Sequence, residues 1–148
     1  MLSVTPSDIE GPFFKIGAPF RESLVDLPTL SIAGLILNTN GELIKDVVVD
    51  IWQANSDGNY DLEGFNFRAR SSNSSYKFLT VMPGAYELDE DEYRCPHIHF
   101  KITAPGYKTL TTQLYFPDNK YNETDHWFDA RRVINYPCGE FNFVIEAL

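Results

Sequence analysis

Two of the three histidines in this chain stand as His97-Ile98-His99. Side chains alternate faces along a strand, so both imidazoles project to one side and Ile98 to the other. Two neutral nitrogen donors then aim at one spot, as in a metal site, although a pair of half-exposed strand residues has the same pattern. A cupin-like site wants a carboxylate shortly after the second histidine, and Phe100 to Lys108, FKITAPGYK, contains none. Zinc with Cys95 would crowd Pro96 and lacks a defined fourth ligand. Tyrosine offers another donor: Tyr60 closes the turn NSDGNY and Tyr86 follows the turn Pro83-Gly84-Ala85. A phenol has a reference pKa of about 10, so its anion forms near neutral pH only on a strongly Lewis-acidic ion, and ferric iron suits it better than a divalent one. Each tyrosine taken alone also reads as a packed amphipathic ring.

The elements that must position these residues are strands. Leu30–Leu37 and Val47–Trp52 are rich in β-branched and apolar residues and flank the turn Asn38-Thr39-Asn40-Gly41. Further strands are expected over Tyr76–Val81, Pro96–Thr103, Leu110–Phe116 and Gly139–Ile145, and one short helix over Glu123–Val133. Asp61 to Ser75 reads as a long loop with Phe65 and Phe67 turned inward. Glu87, Asp89, Glu90, Asp91 and Glu92 form an acidic loop that must sit in water. Residues 1–29, with Pro6, Pro12, Pro19 and Pro28 and the looser Gly11 and Gly17, read as an irregular arm packed on a catalytic domain of residues 30–148. Many short strands between Gly and Pro turns predict an all-β fold, a β-sandwich of mixed sheets with long active-site loops.

A length of 148 residues with 43% hydrophobic residues is one compact domain and excludes a disordered chain. No apolar run is long enough for a membrane span, and the opening MLSVTPSDIE has no basic start and apolar core, so the expected location is cytoplasmic. A formal charge of -9 argues against a nucleic-acid partner, which needs clustered Lys and Arg. Cys95 and Cys138 supply neither a disulfide framework nor a paired thiolate site, though they could pair with each other.

Four ordered runs, DIWQANSDGNY (50–60), TVMPGAY (80–86), RCPHIHF (94–100) and TQLYF (112–116), together with TPSDIEGP (5–12), resemble the intradiol ring-cleavage dioxygenases of the protocatechuate 3,4-dioxygenase-like and catechol 1,2-dioxygenase-like kind. The resemblance implies a mononuclear non-haem Fe(III) held by Tyr60, Tyr86, His97 and His99, with Tyr86 leaving the metal when substrate arrives. It makes Arg94 a catalytic residue beside the substrate ring, and puts Gln113, Gly11, Pro12 and Trp52 around the substrate. The implied partners are a small aromatic diol and O2, the product a cis,cis-muconate-type diacid, and the assembly a homo-oligomer. Leu88 stands where an aromatic residue is usual in this family and the loop from Tyr86 to Arg94 is short, which leaves the choice of diol open. Tyr121, Trp127 and Arg131 lie beyond the matching runs and read equally as pocket or structural residues. The alternative is a non-catalytic transthyretin-like sandwich, a class that shares the pattern of the strands at 34–52 but has no use for the histidine and tyrosine set.

Overall fold

The computed structural model describes all 148 residues. Its strands are β1 (Leu30–Leu37), β2 (Val48–Gln53), β3 (Arg68–Ser71), β4 (Ser75–Thr80), β5 (Tyr86–Asp89), β6 (Glu92–Arg94), β7 (His97–Thr103), β8 (Leu110–Tyr115) and β9 (Phe143–Val144). A four-stranded antiparallel sheet runs β3-β2-β7-β8, and a three-stranded sheet runs β4-β1-β9, with β1 and β9 parallel. The sheets pack face to face, so the expected all-β sandwich with mixed strand directions is what the chain forms. No helix is long and apolar enough to cross a membrane.

The core lies where alternate residues of the two sheets meet. Ile98, Phe100 and Ile102 of β7 enter it, as do Ile32 and Ile36 of β1 and Tyr76 and Phe78 of β4. Phe100 is the hinge of this packing, with ring centroids 5.8 Å from Tyr76, 6.4 Å from Phe78 and 4.9 Å from Phe143. Alternation therefore turns His97 and His99 to the outer face of the large sheet, yet both are only 2% exposed. Something must cover that face.

The cover is the arm. Residues 1–29 form no strand before β1, only isolated bridges at Phe20 and Ser23, and cross the large sheet from one edge to the other. Asp8 N–H donates to Thr111 O at the β8 edge, Gly11 passes over His99 of β7, Phe14 packs on Trp52 of β2 at 4.9 Å, and Arg70 N–H of β3 donates to Pro19 O. Leu24 N–H then donates to Leu79 O, so the arm also ties the free edge of β4 in the second sheet. Open strand edges are thereby paired rather than left to solvent.

Four local expectations change. Arg68–Ser71, inside the expected loop of 61–75, is β3: its RARS sequence carries no strand signature, and pairing with β2 makes it one. The acidic stretch is a hairpin of β5 and β6, turned through Asp91 at φ 62°, with its acidic side chains exposed as expected. Glu123–Val133 is not a helix but a run of turns with one 3-10 turn at Ala130–Arg132. Here Asp125 Oδ1 accepts from Trp127 N–H and Asp129 Oδ1 from Arg131 N–H, short-range bonds that compete with helical ones. The last strand is shorter than expected, because Leu35 N–H is taken by the Asn142 side chain instead of a backbone carbonyl. Cys95 is buried, Cys138 is exposed, and they do not pair.

Gly34 of β1 is where the C-terminal segment comes closest: a Cβ there would lie 1.8 Å from Phe141 O. Gly34→Ala is expected to cost about 1–3 kcal/mol of stability through this overlap. Urea unfolding checks it, and a loss below about 0.5 kcal/mol, the range of ordinary surface changes, would show that the segment yields freely.

Candidate metal centre

The register of the large sheet builds one row of side chains on its outer face. Arg68 stands opposite Trp52, Trp52 opposite His99, and His99 opposite Gln113; one step along, His97 faces Tyr115. Trp52 and His99 stack with centroids 4.9 Å apart and planes 6° from parallel. Trp52 is itself 2% exposed and wedged between Phe14 and His99, so it backs the imidazole and does not reach an opening.

The two tyrosines come from turns that lock together. Asn55 Oδ1 accepts from Asp57 and Asn59 N–H at 3.0 Å each, closing the first turn, and Asn55 O accepts from Gly58 N–H at 3.0 Å and from Gly84 N–H of the second turn at 2.8 Å. A Cβ at Gly84 would lie 2.5 Å from Ser56 O and 2.7 Å from Gly58 N, so only glycine lets the two backbones approach this closely. The result brings the Tyr60 and Tyr86 rings to 6.0 Å, edge to face. Tyr60 stacks on Phe13 of the arm at 4.0 Å, while Arg68 donates to Phe13 O and, at 2.9 Å, to Asp61 O, holding arm and turn together.

All four donor side chains converge. Tyr60 Oη lies 3.1 Å from His99 Nε2 and 3.4 Å from His97 Nε2, and the Tyr86 ring lies 5.7 Å from that of His97. Cys95 O can only accept, so its 2.7 Å contact with His97 Nδ1 makes that nitrogen the N–H and leaves a lone pair on Nε2, facing Tyr60. His99 Nδ1 has no partner.

Electrostatics suit an added cation. Burial, then the Arg94 guanidinium, lowers His97 to about 3, and burial, then His97, takes His99 well below the ordinary imidazole range. Both rings are neutral donors at any physiological pH. Burial, then Tyr86, raises the Tyr60 phenol, and burial raises Tyr86 against the pull of Arg94. Both phenols stay protonated until a strong positive charge arrives to favour their anions. No three His, Cys, Asp or Glu side chains converge anywhere in the chain, so a metal held here must use the tyrosine oxygens. Two phenols and two neutral imidazoles are a donor set of the hardness and charge that Fe(III) takes.

Arg94 borders the donors from β6, directly opposite Tyr86 in the hairpin. Its Nε donates to Asp125 at 2.9 Å, its Nη2 to Gln113 Oε1 at 2.5 Å, and its guanidinium carbon lies 4.8 Å from the centre of the Trp127 ring. Gln113 Nε2 in turn donates to Ile9 O of the arm at 3.0 Å. Gly11, at φ 73°, holds the arm so that a Cβ there would sit 3.7 Å from His99 Cε1; Pro12 follows it, exposed. Of the residues beyond Phe116, Trp127 borders Arg94, Tyr121 stacks on Tyr93 at 4.7 Å, and Arg131 points to solvent, paired with Asp129. Asn55, Arg68, Phe13 and Asp125 were not marked by sequence reasoning. Asn55 lies inside the NSDGNY turn and its Asx role was readable there; the others carry no local signal. A surface groove of about 790 Å³ between Gly34, Lys77 and Asn142 lies on the other sheet, away from these residues.

Comparison with known proteins adds independent observations. Residues 9–135 match a protein family described as Dioxygenase. A chlorocatechol 1,2-dioxygenase of Rhodococcus opacus is 32% identical, the match covering 96% of this chain and 72% of that protein. A catechol 1,2-dioxygenase of Acinetobacter guillouiae is also 32% identical, but this chain spans only 52% of its length. Among solved structures, the dioxygenase domain of a dioxygenase carbohydrate-binding protein fusion from Streptomyces sp. SirexAA-E superposes with a TM-score of 0.87 at 36% identity, covering 99% of this chain and 100% of that one. Catechol 1,2-dioxygenase of Acinetobacter radioresistens gives a TM-score of 0.87 at 26% identity, over 64% of its chain.

Gly84→Ala is expected to part the two turns and lower ferric iron uptake by the purified protein at least about tenfold, with β-sheet circular dichroism retained, since misplacing a donor by an ångström disables a site. Uptake equal to that of the parent chain would show that the turns are not what spaces the phenols.

Proposed function

Since the chain belongs to the intradiol ring-cleavage dioxygenase family, we propose that it cleaves a catechol-type ring between its two hydroxyl-bearing carbons with O2, at a mononuclear non-haem Fe(III), to a cis,cis-muconate-type diacid. The observation that carries this reading is the convergence of two phenols and two neutral imidazoles on one point of the outer sheet face. Tyr60, Tyr86, His97 and His99 would hold the metal. When bound, Fe(III) supplies Lewis acidity, lowering the pKa of the diol hydroxyls and drawing on the electron density of the ring.

The side chains divide the remaining work. His97 and His99 keep lone pairs available because burial holds them neutral, and the Cys95 carbonyl sets which nitrogen His97 presents. Tyr60, stacked beneath Phe13, is the fixed phenol. Tyr86, at the root of the hairpin and less enclosed than Tyr60, would be the phenol that yields to a diol, its Oη then being placed to take up a hydroxyl proton. Arg94 faces Tyr86 and stabilises negative charge developing on the substrate through fixed guanidinium donors. Gly11 and Pro12 form the arm side of the substrate space and Gln113 orients Arg94. Trp52, stacked on His99, would brace that imidazole beside the substrate space.

The substrate class can be narrowed by charge. Glu87, Asp89, Glu90, Asp91 and Glu92 are exposed on the hairpin that joins Tyr86 to Arg94, and their field disfavours a carboxylated diol. Uncharged diols, catechol or hydroxyquinol, are the proposed substrates in preference to protocatechuate.

Oxygen uptake by the iron-loaded protein across a panel of diols tests the activity. Catechol should exceed protocatechuate in kcat/KM, the gap narrowing as salt screens the hairpin; a preference for protocatechuate overturns the charge argument. Tyr60→Phe, His97→Ala and His99→Ala should each weaken iron retention and bleach the phenolate-to-iron charge-transfer colour. Arg94→Ala should keep iron and lower kcat by about 100-fold or more; a kcat near that of the parent removes Arg94 from its role.

A further inference from the structure

The carboxylate of Asp125 is wholly enclosed, with 0% of its side chain exposed, and nothing in the reaction described above uses it. It accepts three N–H bonds: from Arg94 Nε at 2.9 Å and Cys95 N at 2.8 Å on Oδ2, and from Trp127 N at 2.8 Å on Oδ1. An enclosed carboxylate needs this many partners to remain charged. Each of the three bonds fixes a different part of the site.

The bond to Nε immobilises Arg94. With Nη2 committed to Gln113 and the Trp127 ring against its face, the guanidinium is held in one orientation, within reach of the Tyr86 side chain. The bond from Cys95 N–H pins the residue whose carbonyl accepts from His97 Nδ1. The bond from Trp127 N–H holds that ring where the guanidinium packs on it. One acid from a loop of turns thus reaches the charged group, a donor imidazole and an aromatic wall.

We propose that Asp125 is a positioning residue for this site: it sets the orientation of the Arg94 guanidinium and, through Cys95, the nitrogen that His97 presents. The proposal rests on the dioxygenase reading for its kinetic consequences and on hydrogen-bond geometry alone for its structural ones. An amide at this position cannot replace the acid. With its oxygen toward Arg94 and Cys95 its NH2 meets the Trp127 N–H, and in the flipped state it meets two donors.

The test has two arms. In the first, nitrogen-15 NMR of the full chain, loaded with diamagnetic Ga(III) or used as purified if no metal binds, compares side-chain N–H exchange at Arg94 with that at exposed Arg131. Slow exchange at Arg94 Nε and an Nδ1–H tautomer at His97 are expected in the parent chain, and Asp125→Asn should lose the protection at Arg94. Rapid exchange at Arg94 Nε in the parent overturns the proposal without any variant having to fold. In the second arm, Asp125→Asn should retain iron and its colour while kcat falls at least about tenfold, with KM changing less, as expected when a charge-stabilising donor is misaligned. Adding Asp125→Asn to Arg94→Ala should lower kcat by less than about twofold more, because Asp125 acts through Arg94 and both changes disable one unit. A kcat for iron-replete Asp125→Asn within about twofold of the parent, or losses that multiply in the double variant, overturns the proposal. If the parent chain consumes no O2 with any diol, the dioxygenase reading fails, and the exchange arm still decides the role of Asp125.

Discussion

A single cross-strand row, Arg68, Trp52, His99 and Gln113, is what the rest of the site is built upon. It exists because three antiparallel pairings hold one register, and a one-residue slip of any strand would send its member of the row into the core. The same alternation sends Ile51, Phe100 and Leu114 to the opposite face, so the packing that stabilises the sandwich also aims the polar row outward. Function and folding share one constraint here: the core side chains of β7 cannot be buried without presenting His97 and His99 together.

An outward polar row would ordinarily be solvated, and its imidazoles would titrate near neutrality. The arm prevents this. It runs over β8, β7, β2 and β3 in turn, and by excluding water it keeps both histidines neutral and raises the phenols. The arm is itself anchored by enclosed charge: Asp8 pairs with Arg132 at 2.7 Å and accepts from Tyr115 Oη at 2.8 Å. Two buried ion pairs, Asp8 with Arg132 and Asp125 with Arg94, therefore flank the donors. Such pairs contribute geometry more than stability, because the desolvation of both members offsets most of their attraction.

The two glycine-mediated turn contacts complete the arrangement from above the sheet. Tyr60 and Tyr86 are far apart in sequence and belong to no common strand, and their approach depends on backbone meeting backbone at Gly58 and Gly84. Tyr60 is held on one side by an arm phenylalanine, whereas Tyr86 opens onto a charged hairpin. This asymmetry is the basis for proposing one fixed and one yielding phenol without any difference in residue type.

From the residues alone, the strands β1, β2, β4, β7 and β8 were legible, because their apolar and β-branched periodicity is local. So was the histidine pair on one face, since a period of two needs no knowledge of the partner strand. The tyrosines were legible as turn-end phenols, and the four motif runs tied them to the histidines by resemblance. The path of the arm, β3 with its RARS sequence, the replacement of the helix expected at 123–133 by turns and the convergence of Asp125 on Arg94 and Cys95 were decided only in three dimensions. Each of these depends on a hydrogen bond or contact between residues distant in sequence, or on an aspartate side chain outcompeting the backbone, and neither leaves a periodic trace along the chain.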